Sequence, residues 1–568
     1  MKRIILQTFM ASTVVLGLAS CSDFLDADNK SNVTDKQYFS SKVGFESLVN
    51  NAYEHMRDIY ATNDYADWFN AGTDMYCDGR NKINEAFQTY ETLTPDNSDV
   101  KNLYRNCYAG IRAAYAVPYY ASMGTLDETL VKKRVDEARV VAANYYYILV
   151  NSFGGVPLMK DYVSTAATGY PKSSAADVYQ FIISELESVI ADNALEASTA
   201  TKGGGRVSME AAKALLAKTY LSAAWDLGNK DYFGKAAQYA DEVINGRQLT
   251  TPFADLWKAD CSNDDNAEFI WDCEYDYATA NNKTSGGTSW QGLYSNYLGG
   301  SEDPIKLTSS NYIPTIYALH CFEKGDKRYD VTFMKELPDV AKGNAGKTGY
   351  YTWYTNGQSL KGYKVQRYYS AWYETADDIA AWRAEDPANR ANTYVIPMDT
   401  KSKEAQQMTG ADKDYYANQE FVFGSSPCKK FDDAVTMSNQ NSMDYHDVHI
   451  ITLSEVYLIA AEAYMKAGNN PKALERINAV RERAGLLDAS SIDIESILKE
   501  RACELFGNGQ RYFDLRRTGT LVNHCNLYNP QLENQAQARI GEKILRPIPQ
   551  AAIDANDQLT SADQNPGY

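Results

Sequence analysis

From residue 43 to residue 245 apolar positions recur at three- and four-residue intervals, the period of helices that bury one stripe. The pattern predicts long helices over Tyr104–Ala121, Lys132–Phe153, Ala176–Ile190, Val207–Trp225 and Tyr232–Ile244. In the third of these, Val178, Phe181, Ile182, Leu186, Val189 and Ile190 share one face. Over residues 246–445 the period fades into Gly, Asn, Ser and Thr with aromatics between them, and this middle is predicted to be loop-rich. Helical patterning returns over residues 446–568, most clearly between Glu455 and Phe506.

Some of these helices repeat one another. Tyr457, Ala460, Ala461 and Tyr464, followed by Gly468 and then Ala473, Ile477 and Val480, have the spacing of a tetratricopeptide unit. Its small residues let two helices approach, and its large ones fill the groove between them. Ala211–Trp225 with Tyr232–Val243 reads as a second pair. Lys132–Phe153 with Ala176–Ile190 reads as a third, interrupted by Gly154-Gly155-Val156-Pro157-Leu158. The pairs are not in tandem, so the expected architecture is a mainly α-helical repeat scaffold carrying large irregular insertions rather than a regular solenoid.

The extreme N-terminus follows neither pattern. Lys2 and Arg3 precede an uncharged run from Ile4 to Gly17, too short for a comfortable membrane span, and Leu18-Ala19-Ser20-Cys21 closes it. Residues 1–20 therefore read as a lipoprotein signal peptide, with Cys21 as the acylated first residue of a mature chain, 21–568, held at a membrane by lipid alone.

Charge and composition narrow the ligand. The formal charge of −18 becomes two units more negative once Lys2 and Arg3 leave, which argues against nucleic acid or an anionic lipid face as partner. Eight further cysteines are widely scattered without a CxxC, so they read equally as disulfide partners or as buried thiols. His446 and His449 lack cysteine or histidine company nearby and read as loop residues outside any metal site. No cofactor is expected. The segment from Ala341 to Gly346-Lys347-Thr348 nearly makes a phosphate loop, but neither the strand before it nor the helix after it is legible.

The chain holds 43 Tyr and 8 Trp against 18 Phe, a bias towards rings that carry a polar edge. Six of the tryptophans, Trp257, Trp271, Trp290, Trp353, Trp372 and Trp382, lie in the loop-rich middle, which weights that region for binding. Sugars present an apolar C–H face and a rim of hydroxyls, and they suit aromatic platforms flanked by carboxylate, amide and guanidinium groups. Two stretches fit. One holds Trp68, Asp74, Tyr76, Arg80 and Asn81; the other is the glycine-flanked run with Trp290 and Tyr294. The loops around Trp353 and Trp372 come next. Abundant carboxylates leave a glycosidase pair open, because such a pair is a spatial fact. A third reading is a helical scaffold that holds peptide, in which the middle-region rings would be core.

Several motifs in order resemble the SusD/RagB family of outer-membrane nutrient-binding lipoproteins. They are Cys21-Ser22-Asp23-Phe24-Leu25-Asp26, Phe153-Gly154-Gly155-Val156-Pro157-Leu158, Gly325-Asp326-Lys327-Arg328, Leu453-Ser454-Glu455 onward, Glu500-Arg501-Ala502-Cys503-Glu504-Leu505 with Arg511-Tyr512-Phe513-Asp514-Leu515-Arg516-Arg517, and the Pro547-to-Tyr568 ending. Thr452 stands where the family usually has Arg, which puts one buried ion pair in doubt. The resemblance implies four tetratricopeptide-like helix pairs opposite an irregular ligand-binding side. It also implies a non-catalytic lid that delivers oligosaccharide to a TonB-dependent transporter. Arg501, Glu504, Arg511 and Asp514 are expected to form structural ion pairs.

Overall fold

The computed structural model describes residues 35–79, 81–164, 168–198, 205–278, 280, 286–294, 311–338, 365–398, 426, 428–433 and 443–568. Cys21, Arg80, Trp353 and the segment Ala341–Thr348 lie outside the described residues. The elements used below are α1 (Lys42–Tyr60), α2 (Asp64–Phe69), β1 (Tyr76–Asp78), α3 (Ser98–Ala121), α4 (Glu128–Phe153), α5 (Ala175–Asp192), α6 (Met209–Asp226) and α7 (Asp231–Ile244). After them come β2 (Phe269–Cys273), α8 (Trp290–Tyr294), β3 (Tyr312–Pro314), α9 (Ile316–Cys321), β4 (Glu336–Pro338), β5 (Val365–Ala371) and β6 (Tyr394–Met398). The C-terminal part supplies β7 (Val448–Thr452), α10 (Leu453–Lys466), α11 (Asn470–Arg483), α12 (Ile494–Glu504), α13 (Arg511–Arg517) and α14 (Leu521–Tyr528).

The fold is mainly helical. Its helices pack in an unbroken series, α1 on α3, then α4, α5, α6, α7, α10 and α11, which makes four helix pairs. The three pairs expected from the pattern are all present, and α1 with α3 completes the set. More than two hundred residues separate α7 from α10, yet they are direct neighbours. The insertion therefore leaves the stack and returns to it without breaking it.

Local chemistry sets the helix ends. Ser174 and Asp177 form a reciprocal capping box at the start of α5, and Asn97 caps α3 by accepting from Asp99 and Val100. The Gly154-Gly155 turn needs both glycines for different reasons. Gly154 ends α4 at φ +70°, and a Cβ on Gly155 would sit 2.5 Å from the Ser173 carbonyl. Thr452, standing in place of an arginine, caps α10 by accepting from the Glu455 amide. The buried Glu455 carboxylate finds its cation elsewhere, at Lys218 Nζ, 2.8 Å away on α6.

The insertion is not structureless. β2 pairs antiparallel with β7, tying it back to the start of α10, and β1 pairs antiparallel with β3. A separate sheet has β5 between antiparallel β4 and parallel β6, with its own small core of Val365, Tyr368 and Trp382. Among the described residues no helix is long and apolar enough to cross a membrane. The eight described cysteines form no disulfide with one another, and all but Cys261 are buried.

Ala461 has no accessible surface and sits in α10, which packs against both α7 and α11. Ala461→Trp should overpack this joint at a cost of about 1–3 kcal/mol. A melting temperature equal to wild type would contradict the helix register.

Candidate functional site

The structure corrects most of the expected sugar platform. Trp68 and Tyr294 are 1% exposed, Tyr76 1% and Trp290 5%. Ring faces packed to that degree offer nothing to a ligand. Trp68 donates its indole N–H to the Asp99 carbonyl, and Tyr76 Oη accepts from the Gly507 amide. Tyr294 Oη accepts from the Asn70 amide, while Trp290 stacks on Tyr65 at 4.8 Å with its edge to Phe431. The two stretches do meet, with Tyr76 and Tyr294 5.6 Å apart, but they meet inside the core. Glycines flank Trp290 because backbone comes close: a Cβ on Gly287 would lie 2.3 Å from the Asp444 carbonyl. Among the described residues of the expected site, Asn81 alone is exposed, beyond the end of β1.

Asp74 is wholly buried. Arg511 grips both its carboxylate oxygens, at 2.7 and 2.6 Å, and His524 Nδ1 lies 2.7 Å from one of them. Burial by itself would raise this carboxyl, but the Arg511 charge and hydrogen bonds overcome it and hold Asp74 at about 2. Arg501 pairs with Asp514 as expected, whereas Glu504 pairs with Arg328 and Arg483, and Arg511 reaches back to β1's approach rather than to its own turn.

The middle-region tryptophans sort the same way. Trp257, Trp271 and Trp382 are buried, and Trp372, at 39% exposure, is the one exposed tryptophan among the described residues. The tyrosine excess is largely internal too. Tyr65, Tyr108, Tyr146, Tyr457 and Tyr512 each bury a ring and donate the hydroxyl to a backbone carbonyl, so one residue fills core and satisfies a loop.

An aromatic ridge with exposed ends, Trp372 and Tyr528, and half-buried middle, Tyr317 and His320, lies at the surface. Thr315 caps the short helix α9 by accepting from the Ala318 amide, and its hydroxyl donates to the Asp74 carbonyl. With Ala318, Leu319 and Cys321 turned inward, Tyr317 and His320, three residues apart, are left on the outer side. Tyr317 stacks on Tyr528 at 3.9 Å and 15°, at the C-terminal end of α14. His320 lies 5.1 Å from Trp372, whose indole N–H donates to the Phe322 carbonyl, fixing that ring just after β5. Beneath the stack His524 meets Tyr317 and Tyr528 edge-on, and its Nε2 lies 3.0 Å from the exposed carboxylate of Glu495. Asp74 thus serves this surface from below. The ridge combines apolar faces with an open carboxylate, the composition sought in the wrong stretches.

Sequence reasoning passed over Tyr317, His320 and Tyr528. Their available signals were the two polar-edged rings at i and i+3 in α9 and the Tyr528-Asn529-Pro530 helix stop. A cleft of about 1400 Å³ lies elsewhere, between α7 and α10–α11, lined by Asp241, Arg247, Tyr457, Tyr464, Arg476 and Arg483. His446 and His449, expected in a solvated loop, are buried at the approach to β7 and within it. Each sits against an aspartate distant in sequence: His446 Nδ1 is 3.0 Å from Asp264, and His449 Nδ1 is 2.6 Å from Asp272.

With this geometry in place, comparison with known proteins identifies the family. Residues 262–568 match the SusD family, and residues 23–221 match a family described as starch-binding and associating with the outer membrane. The chain belongs to the SusD family. It is 24% identical over 522 residues to a SusD-like protein of Bacteroides ovatus, covering 89% of this chain and 81% of that one. To the starch-binding protein SusD of Bacteroides thetaiotaomicron it is 24% identical over 475 residues, 81% and 78% of the two chains. Its fold is similar to that of a laminarin-binding SusD-like protein, with a TM-score of 0.65 at 20% identity over 93% of this chain and 100% of the other. A surface glycan-binding protein A of Bacteroides uniformis gives 0.64 at 20% identity, over 92% and 99%.

Two outcomes check these placements. Asp74→Asn should destabilise by about 3–5 kcal/mol, since it leaves Arg511 buried without its anion. Because the folded Asp74 carboxyl titrates at about 2, below its unfolded value of roughly 3.9, the pair's contribution is complete above pH 4. It is lost as pH falls towards 2, so the gap between variant and wild type in denaturant unfolding should shrink over that range. Trp290→Ala should cost about 3–5 kcal/mol of stability; an unchanged melting curve would return Trp290 to the surface.

Proposed function

We propose that this chain is a non-catalytic, lipid-anchored cell-surface protein that binds a neutral oligosaccharide on the ridge Tyr528–Tyr317–His320–Trp372 and hands it to a TonB-dependent outer-membrane transporter. The observation that carries this reading is the ridge itself. Polar-edged rings crowd the core throughout, yet here they are held outward in a row by Thr315, the Phe322 carbonyl and the Asp74–His524 contact. Stacking on C–H faces needs such rings, and Glu495 stands beside them for hydroxyls. Membership of the SusD family, and the starch-, laminarin- and glycan-binding relatives named above, support the ligand class. The strongly acidic balance of the chain fits an uncharged ligand. Acylation of Cys21 supplies the anchor in this scheme, and the transporter is its receiving partner.

The peptide-holding scaffold draws on the burial of Trp290 and on the cleft beside α10. That cleft's cations are already engaged, Arg476 with Asp241, Arg247 with Glu210 and Arg483 with Glu268. A peptide there would have to break ion pairs, whereas a sugar on the ridge displaces only water.

An open platform buries little of its ligand, so Kd should fall between about 1 µM and 1 mM and change little with salt. Trp372→Ala and Tyr528→Ala should each weaken a responding glycan by about tenfold, roughly 1.4 kcal/mol, with little change in melting temperature. Calorimetry showing wild-type affinity in both variants would move the site off the ridge. Incubation should leave the bound glycan uncleaved; release of new reducing ends would make the protein a hydrolase. Cys21→Ala should shift the protein from membrane to soluble fractions, and continued sedimentation with salt-washed membranes would refute the anchor.

A further inference from the structure

We propose that Cys261, Asp264 and His446 form a binding site for one thiophilic divalent cation of the zinc class. The three residues come from two segments far apart in sequence, the turn between α7 and β2 and the approach to β7. Their ligand atoms, one thiol sulfur, one carboxylate oxygen and one imidazole nitrogen, all lie within 4.8 Å of one another. Zinc bonds of about 2.0 Å to nitrogen and oxygen and about 2.3 Å to sulfur place tetrahedral ligands about 3.3–3.6 Å apart. His446 Nδ1 and Asp264 Oδ1 already stand at 3.0 Å. Only a small closure of the sulfur is needed.

The surroundings orient the donors. His446 Nε2 lies 3.0 Å from the Asp432 carbonyl and donates its N–H there, while Nδ1 faces Asp264 across a shared proton whose loss would free the Nδ1 lone pair for a cation. Asp264 Oδ2 accepts the Asp447 amide at 3.1 Å, and Oδ1, turned towards His446 Nδ1, is the oxygen that would ligate once the shared proton leaves. Both ligands are therefore held from behind by backbone. Cys261, half-buried where the other seven described cysteines are buried, gives the cation its way in and leaves a fourth position to water. Binding displaces the Cys261 thiol proton and the proton shared by His446 Nδ1 and Asp264, and both pass to solvent. A thiolate–imidazole–carboxylate set selects zinc or cobalt over calcium and magnesium. A bound cation would cross-link the turn at residues 261–264 to the strand β7 that opens α10.

The test is a Co²⁺ titration of the purified full-length chain, followed by absorption. One equivalent should bind with a thiolate-to-cobalt charge-transfer band, and Zn²⁺ should displace it. Cys261→Ser should abolish the band and weaken Zn²⁺ binding about 100-fold or more, while its metal-free melting temperature stays near wild type. If that variant does not fold, the wild-type protein serves: Zn²⁺ should protect Cys261 from iodoacetamide. A wild-type chain with no thiolate band, a band that persists in Cys261→Ser, unprotected alkylation, or stabilisation by Ca²⁺ with none by Zn²⁺ would each overturn the site.

Discussion

Arginines with almost no access to water join the C-terminal segment to everything before it. Arg511 on α13 holds Asp74 ahead of β1, and Arg516 holds Asp226 at the end of α6. Arg517 reaches Glu462 on α10, while Arg501 shares Asp514 with it. Arg328 in the insertion meets Asp326, Glu500 and Glu504, and Arg483 bridges Glu504 to Glu268. Such pairs add little net stability over apolar packing, because desolvating both charges is costly. Losing one partner strands the other, however, so the segments around α12 and α13 can dock in one register only.

The exposed surface depends on that register. Asp74 is fixed by Arg511, His524 lies against Asp74, and the rings of Tyr317 and Tyr528 rest on His524. A buried ion pair thus sets the height of a surface feature two contacts away. The helix pairs do not contribute side chains to the ridge; they provide the rigid body on which α9, α14 and the end of β5 are placed.

The aromatic residues show why composition misleads in this chain. A polar edge on a ring is as useful to a core that must satisfy buried loop carbonyls as to a wet binding face. Tyr65, Tyr146 and Tyr512 take the first role and Trp68 joins them, while Trp290 is core by ring packing on Tyr65 and Phe431 alone. A large irregular insertion needs many such residues because its carbonyls lack helix partners. Among the described residues, Trp in poorly periodic sequence therefore marks core, with Trp372 the exception.

By itself the sequence determined what depends on near neighbours: the helices of three of the four pairs, the Gly154-Gly155 turn and the motifs that place the chain in its family. Periodicity is local, so a single chain displays it. The family motifs also marked Arg501, Glu504, Arg511 and Asp514 as ion-pair residues, and of their partners only the Arg501–Asp514 pairing lay within that set. Tertiary structure decided the partners, the adjacency of α7 and α10 across the insertion, and which rings face water. The meeting of Cys261 and Asp264 with His446, 182 residues beyond Asp264, belongs to the same class. Exposure and long-range juxtaposition are set by what packs on top of a residue, and that is a property of the whole chain rather than of any window along it.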